Sequence, residues 1–333
     1  PKYTVHEAIE SIGYGRFQVL LTIVAGFAWI AESMEVMLLS IVMPSFVCEW
    51  GLKPFQQALC ATLMFGGWCA GSPVWGWVCD RFGRKVGLLL SAVLGCVFGT
   101  ASAAAPSFIV FTFLRTAVGL AVGGVPQSAT ILLEFLPTDS RASRIMYLAG
   151  FWALGASVVT GAAMVLTPRL TWRATVVASA LPLGLFTVVA GMDGELIENT
   201  DHEVASKNTA ITALLSAELR ITSILLWIIW GAMAFSYYGL TFTTTKLFAS
   251  TDTCHGGSVD NTNTTSTSCK ELSPHDYVDI LITTAAELPG LLLTLLIIER
   301  LGRRATMALQ LGAFGIANAA YVYTPEVYPT YLR

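Results

Sequence analysis

Long apolar segments recur along the whole chain and decide what it can fold into. Each is about 20 residues long and nearly free of charge, and runs such as residues 221–235 are apolar on every face. Coiled into a helix, such a segment crosses the hydrocarbon core of a bilayer, which is about 30 Å thick. A transmembrane barrel would instead need alternating segments of about ten residues. Because these segments are apolar on every face, the sequence predicts an all-α, polytopic membrane helical bundle.

The composition also favours a membrane protein. Hydrophobic residues make up 54% of the 333 residues and charged residues only 12%, whereas soluble domains carry about 25% charged residues. These values exclude a soluble globular protein. We place nine spans, at residues 18–43, 55–78, 87–105, 108–133, 147–167, 174–192, 221–245, 277–298 and 305–324.

The distribution of Lys and Arg predicts the orientation. With the N-terminus in the cytosol, thirteen of these residues lie on the cytosolic side and five on the opposite side, while Arg115 lies within a span. Cytosolic loops carry an excess of basic residues. We therefore expect an integral membrane protein with a cytosolic N-terminus, in the plasma membrane or an intracellular vesicle membrane.

The loop at residues 249–276 is non-cytosolic in this orientation. It contains Asn263 in an acceptor sequence for glycosylation, and it contains Cys254 and Cys269. Glycosylation and a disulfide both suit that side of the membrane. The alternative is a chance acceptor sequence and two reduced thiols in a Ser/Thr-rich loop.

Two sequence patterns occur twice, which predicts two halves of the same design. The pattern at residues 80–85 (DRFGRK) recurs at 299–304 (ERLGRR). The second pattern is a Glu followed by Pro three residues later and Arg seven residues later, at residues 134–141 and 326–333. We infer an N-terminal six-helix bundle at 1–192, a short cytosolic linker at 193–219 and a C-terminal bundle at 220–333.

The spacing of these patterns indicates that the second half is incomplete. The two patterns begin 54 residues apart in the first half, which is room for two spans, and 27 residues apart in the second, which is room for one. We therefore expect about nine spans of a twelve-span design.

Several motifs resemble those of the major facilitator superfamily. Residues 76–85 (GWVCDRFGRK) resemble its signature loop between spans two and three, and residues 115–124 (RTAVGLAVGG) are similar to its pattern in span four. Residues 134–141 resemble the sugar and organic-ion porter branch. Within that branch, the chain looks like the synaptic vesicle glycoprotein 2-related group at residues 3–5, 12–15, 124–128 and 321–330.

The resemblance implies two six-helix halves that move substrate by alternating access. It implies secondary active transport of a small organic solute, an organic ion or a sugar-like molecule, with proton coupling. One family feature is missing, because no Pro-Glu-Ser type motif is recognisable at residues 192–198.

Charged residues inside the spans are the candidates for binding a substrate or proton. Placing one at the centre of a membrane helix costs about 2.5 to 3.5 kcal/mol, so most have a partner or a function. Glu32 and Glu35 lie three residues apart on one face of span one, and Glu287 lies within span eight. Arg115 is expected to seek a carboxylate of span one, or to extend to the nearer interface. The alternative for each Glu is a structural hydrogen bond to a neighbouring helix.

Polar and aromatic residues could line the same path. Gln127, Tyr237 and Tyr238 could donate hydrogen bonds or offer aromatic faces to a cation. Such residues serve more often as packing or interface anchors.

Charges at the cytosolic ends of the spans could form a gate. The resemblance implies ion pairs between the halves, and the alternative is simple anchoring by basic loops. The candidates are Asp80, Arg81, Gly83, Arg84, Glu134, Arg141, Glu299, Arg300, Arg303, Arg304, Glu326 and Arg333.

The motifs of several other protein classes are missing. The sequence has no His-Glu-x-x-His pair and no Gly-rich loop ending in Gly-Lys-Ser/Thr, so we predict no enzyme, no cofactor and no metal. The expected partners are a small-molecule substrate, protons and the lipid bilayer, with no nucleic acid, and the protein is expected to be a monomer. The rival function is a non-transporting vesicle glycoprotein, a receptor or regulator built on a transporter scaffold.

Overall fold

The computed structural model describes residues 13–137, 141–192, 220–249, 272–302, 305–313 and 315, and these are helical apart from short connections. The helices are α1 (Arg16–Trp50), α2 (Pro54–Phe82), α3 (Arg84–Ala103), α4 (Phe108–Val122), α5 (Gln127–Glu134), α6 (Arg141–Arg169), α7 (Trp172–Met192), α8 (Arg220–Ala249), α9 (Pro274–Ala285), α10 (Glu287–Leu301) and α11 (305–313). The all-α prediction is confirmed.

Seven segments of the described ranges are long and apolar enough to cross a bilayer. They are Arg16–Trp50, Arg84–Ala103, Phe108–Glu134, Arg144–Arg169, Trp172–Gly191, Arg220–Thr245 and Pro274–Ile298. Helix α2 coincides with the predicted span 55–78 and has 29 residues. It is not among the seven, because its glycines and tryptophans make it less apolar than those segments. Of the predicted span 305–324, only the first part lies within the described residues.

The span predicted at 108–133 is broken in the structure. Helix α4 ends at Val122, a turn follows, and α5 begins at Gln127. Pro126 has no N–H to bond the carbonyl four residues earlier, which is that of Val122. The N–H of Val125 bonds that carbonyl instead, at 2.9 Å. The sequence predicted one continuous helix here because its apolar pattern runs across the proline.

The span predicted at 277–298 is broken in the same way. Helix α9 ends at Ala285 and α10 begins at Glu287. Pro289 lies four residues after Ala285 and cannot bond its carbonyl. The structure places the break one turn before the proline.

Glycines bring helices α2 and α4 into backbone contact. A Cβ atom on Gly119 would lie 2.1 Å from the carbonyl oxygen of Met64, and one on Gly71 would lie 2.2 Å from that of Leu120. Real Cβ atoms do not approach so closely. Small residues at such contacts let membrane helices pack tightly, so this pair forms a rigid part of the first half.

Two apolar clusters fill the bundle formed by α1 to α7. One cluster surrounds the first part of α1 and includes Leu21, Val118 and Leu132. The other surrounds its last part and includes Phe46 and Phe111. Because α1 runs through both, the residues between them lie deep in the bundle and far from both ends of the helix.

The described helices of the second half pack on the first. Helices α9 and α10 contact α6, and α8 contacts α1. The outer face of α8 is apolar and exposed, with Phe235 81% and Trp230 71% accessible. Exposed rings and aliphatic side chains on a spanning helix are typical of a lipid-facing surface.

Candidate functional site

Glu35 and Arg115 form a fully buried ion pair. Arg115 Nη1 lies 2.6 Å from Glu35 Oε2, and both side chains have 0% exposure. Arg115 Nη2 donates to Ser102 Oγ at 2.8 Å, and Ser179 Oγ donates to Glu35 Oε1 at 2.9 Å. The four residues come from α4, α1, α3 and α7. The pair therefore connects four helices in the interior of the first half.

Neighbouring residues pack closely against this ion pair. A Cβ atom on Gly99 would lie 3.3 Å from Glu35 Oε1, and the guanidinium carbon of Arg115 lies 5.3 Å from the centre of the Phe111 ring. The sequence predicted that Arg115 would reach a carboxylate of span one, and the structure joins it to Glu35. A buried pair of this kind is costly to break, because either partner alone would be an uncompensated charge.

Glu32 lies one helical turn before Glu35 and has no such partner. Its side chain is 1% exposed. Its Oε1 atom has no hydrogen-bond partner in the described part of the chain. Arg115 neutralises Glu35 but not Glu32. Glu32 is left as a deeply buried acid whose charge needs either a proton or a cation.

Glu287 belongs to a hydrogen-bond chain between the two halves. Tyr237 of α8 donates its hydroxyl proton to Glu287 Oε1 at 2.9 Å. Trp152 of α6 donates its indole N–H to the Tyr237 hydroxyl oxygen at 3.2 Å. Two spans of the second half are thereby joined to α6 through one tyrosine.

Tyr238 lies beside this chain and connects it to α2. Its ring centroid is 4.5 Å from that of Phe65, 6.3 Å from that of Trp68 and 5.2 Å from that of Tyr237. Its hydroxyl lies within electrostatic range of both Glu32 and Glu287. One aromatic region therefore has a carboxylate from each half at its border.

The two carboxylates lie near the middle of their membrane spans. Glu32 is the seventeenth residue of the 35-residue α1. Glu287 begins α10, at the centre of the span Pro274–Ile298. Substrate sites of transporters built from two repeats lie near the bilayer midplane, between the repeats. The position of the carboxylates fits that arrangement.

Gln127 is not brought to this region. It begins α5, and its Nε2 atom lies 3.9 Å from the position a Cβ atom would take on Gly76 of α2. Of the seven residues predicted to bind substrate or protons, the structure gathers Glu32, Tyr237, Tyr238 and Glu287 in one region and Glu35 with Arg115 in a second.

The candidate gate residues of the first half meet at one end of the bundle. Arg84 Nη2 lies 2.8 Å from Glu134 Oε1, and both side chains are partly exposed. Arg141 donates to the carbonyl of Leu136 at 3.0 Å. Gly83 has φ 92°, a conformation that suits glycine at the tight connection between α2 and α3.

The other gate residues are placed less completely. Asp80, Arg81 and Arg300 have exposed side chains at helix ends. The side chain of Glu299 and the whole of Arg303, Arg304, Glu326 and Arg333 lie outside the described residues. Ion pairs between the halves stay a prediction.

The opposite end of the first half holds an aromatic cluster that the sequence did not indicate. Phe46 lies 4.7 Å from Trp172 and 4.5 Å from Phe111, measured between ring centroids. Beside it, Arg173 Nη2 lies 2.8 Å from Glu49 Oε1, and Trp172 donates its indole N–H to the same carboxylate. This cluster ties the end of α1 to the start of α7.

The predicted disulfide and glycosylation site are not tested by the described residues. Asn263, Cys254 and Cys269 lie outside the described residues. Cys48, near the end of α1, is disulfide-bonded, while Cys60, Cys69, Cys79 and Cys96 are free thiols. The chain has seven cysteines, so an intrachain bridge from Cys48 requires Cys254 or Cys269. Such a bridge is an alternative to the predicted Cys254–Cys269 pair.

No metal site stands out in the part of the chain that the structure describes. No group of three or more His, Cys, Asp and Glu side chains there is placed to hold an ion.

Sequence reasoning missed three residues of the site. Ser102 and Ser179 complete the Glu35 and Arg115 network, and Trp152 connects the two halves. Isolated serines and a tryptophan in an apolar span carry no signal of their own. Only the pairing of helices reveals their roles.

Fold and site together define the class of protein, a polytopic membrane transporter. Two half-bundles contact each other around buried charges near the middle of their helices. A family model described as Major Facilitator Superfamily matches residues 20–332. The chain belongs to that superfamily, as its motifs predicted.

Relatives confirm the resemblance to the synaptic vesicle 2-related group. "Putative transporter svop-1" of Caenorhabditis elegans is 41% identical over 99% of this chain and 75% of its own length. "Synaptic vesicle 2-related protein" of Xenopus laevis is 38% identical over 99% of this chain and 71% of its own length. "Organic cation/carnitine transporter 7" of Arabidopsis thaliana is 29% identical over all of this chain and 84% of its own length.

A solved structure confirms the fold. The xylose transporter XylE from E. coli, in a partially occluded inward open conformation, matches with a TM-score of 0.63. The match covers 87% of this chain and 73% of that chain at 15% identity. The alignment with the Caenorhabditis elegans relative runs over 392 positions, more than the 333 residues of this chain. That relative therefore contains residues within the matched range that have no counterpart here, which fits the shortened spacing of the second repeat.

Proposed function

We propose that this protein is a proton-coupled secondary active transporter of a small organic solute that works by alternating access. The observation that carries the proposal is the fully buried Glu35–Arg115 pair. A proton bound by Glu35 would remove the charge that holds Arg115. The four helices joined at this pair would then lose their common contact, which couples proton binding to a change in packing.

Several titratable groups surround Glu35. Arg115 is its ion-pair partner. The thiol of Cys96 lies within electrostatic range of Glu35, and that of Cys60 lies within range of Arg115. Glu32 lies one turn away on the same helix. Arg115 is the only cation of this set, so the charge balance of the site depends on the protons on Glu35 and Glu32.

The link between the halves suits alternating access. Trp152, Tyr237 and Glu287 form a single line of two hydrogen bonds from α6 to α10. If one half rocks against the other, these two hydrogen bonds are the polar contacts at this point that would have to break. The charges at residues 80–85 and 299–304 would then form the cytosolic gate, with the N-terminus in the cytosol.

The buried carboxylates favour transport over the rival function of a non-transporting glycoprotein. A receptor or regulator gains nothing from a buried Glu32 that has no counter-ion among the described residues, because insertion at membrane depth costs about 2.5 to 3.5 kcal/mol. A transporter needs a site that is incomplete until substrate or a proton arrives.

Uptake into proteoliposomes tests the proposal. The purified protein is reconstituted, a pH gradient is imposed, and a panel of radiolabelled organic solutes is screened. For the solute transported, we expect Glu35→Gln to abolish accumulation against a gradient. Downhill exchange of the same solute should persist.

Glu49→Gln is the matched control. It makes the same chemical change on the same helix, in an exposed ion pair that contributes little, and it should transport like the parent. Accumulation by Glu35→Gln at the parent rate would refute proton coupling through this pair.

A further inference from the structure

Glu32 has no counter-ion among the residues that the structure describes. Glu32 is 1% exposed, and its Oε1 atom is unbonded within the described ranges. Arg115 is committed to Glu35 and Ser102. All other described Lys and Arg residues lie at or near helix ends. The centre of the site therefore carries more negative than positive charge whenever Glu32 is ionised.

The walls of this region are aromatic. The ring centroids of Phe65, Trp68, Tyr237 and Tyr238 follow one another at 4.5 to 6.3 Å. Trp152 extends the series through its bond to Tyr237. All five side chains are half-buried, so part of each ring is accessible. Aromatic faces beside a carboxylate attract organic cations.

The same walls are poorly suited to a sugar. Polyhydroxy solutes need groups that donate and accept hydrogen bonds, as amide side chains do. No Asn of the chain lies within the described ranges. The amide predicted to line the path, Gln127, lies against Gly76 instead. An anion is disfavoured because Glu32 and Glu287 both border the region.

We infer that the solute is a monovalent organic cation, a protonated amine or a quaternary ammonium ion. Its charged nitrogen would lie against Glu32 and the ring of Tyr238, at the border of the aromatic group that includes Trp68 and Phe65. That this cation is transported rests on the proposed function. That it binds at Glu32 does not, because binding can be measured at equilibrium without transport.

Equilibrium binding to the purified protein in lipid nanodiscs is the test. The probes are tetramethyl-, tetraethyl- and tetrabutylammonium, and the pair choline and 3,3-dimethylbutan-1-ol, which have the same shape but differ in charge. Tryptophan fluorescence reports binding directly, because Trp68 and Trp152 border the region. We expect at least one ammonium probe to bind, and choline to bind at least about tenfold more tightly than its neutral analogue.

Two sets of variants locate the site. Glu32→Gln should weaken ammonium binding at least about tenfold, while Glu49→Gln should leave it unchanged. Tyr238→Phe keeps the ring and should retain binding, whereas Tyr238→Leu should lose it. If Glu32→Gln fails to fold, the comparison of Tyr238→Phe with Tyr238→Leu tests the inference instead.

The outcomes separate this inference from the proposed function. Failure of all ammonium probes to bind at millimolar concentration would overturn it, as would equal binding of the neutral alcohol. Unchanged binding in both Glu32→Gln and Tyr238→Leu would do the same. Ammonium binding without uptake in proteoliposomes would support the inference and refute the proposed transport. If only a neutral or anionic solute were taken up in response to the pH gradient, the proposed transport would be supported and the inference overturned.

Discussion

At the scale of single residues, the structure separates two acids that look equivalent in the sequence. Glu35 is paired with Arg115 and bonded by Ser179. Glu32, one turn earlier, has a free oxygen in the described structure. The difference arises because Arg115 reaches only one of the two carboxylates. One acid then holds the helices together, and the other is available to a ligand.

The pair itself predicts a pattern of stability. Arg115→Leu leaves Glu35 buried without a cation, and we expect a loss of about 3 to 5 kcal/mol in unfolding free energy. The double variant Glu35→Leu with Arg115→Leu removes both charges and should recover most of that loss. Unfolding in mixed detergent micelles, followed by tryptophan fluorescence, measures both. A double variant as unstable as the single one would show that the pair does not act as a unit.

At the scale of helices, the sequence predicted where spans occur better than where they break. Apolar length located α1, α3, α6, α7 and α8 to within several residues. Pro126 and Pro289 interrupt spans that read as continuous, because apolar periodicity carries no information on a missing N–H. The close contact of α2 and α4 follows from the glycine pattern around Gly119, although only the structure shows which helix it meets.

That contact predicts a strong dependence on side-chain size. Gly119→Ala would place a Cβ atom 2.1 Å from the carbonyl oxygen of Met64, so we expect a loss of about 1 to 3 kcal/mol from overpacking. Gly66→Ala on α2 is the control, since a Cβ atom there meets nothing within 4 Å. Thermal unfolding of the two variants compares them. Equal melting temperatures would be inconsistent with backbone contact at Gly119.

At the scale of the whole molecule, the described residues of the two halves meet through several helix pairs. Helices α9 and α10 contact α6, and α8 contacts α1. The repeats in the sequence predicted two halves, and the buried charges could be picked out by their cost in a membrane. Their partners could not, because Ser102, Ser179 and Trp152 are ordinary residues of apolar spans. The gate between the halves stays a prediction, since the side chains of five of its twelve members lie outside the described residues.

The cysteines provide a second link to test at this scale. We expect Cys48 to be joined to Cys254 or Cys269, which would tie the end of α1 to the loop between α8 and α9. Mass spectrometry of non-reduced peptides identifies the bridge, and thiol labelling before and after reduction counts the free cysteines. A peptide pair joining Cys254 to Cys269, with Cys48 labelled before reduction, would favour the pairing expected from the sequence alone.

The central claim is that Glu32 faces a path between the halves and not the lipid. Cysteine accessibility tests it most directly, in protein whose free cysteines are replaced by serine. Glu32→Cys should react with a membrane-impermeant cationic thiol reagent during turnover under a pH gradient. Ile23→Cys is the control on the same helix, because Ile23 is 51% exposed on the outer surface of the bundle. It should react only with a lipid-soluble maleimide, and the same behaviour at position 32 would contradict the account.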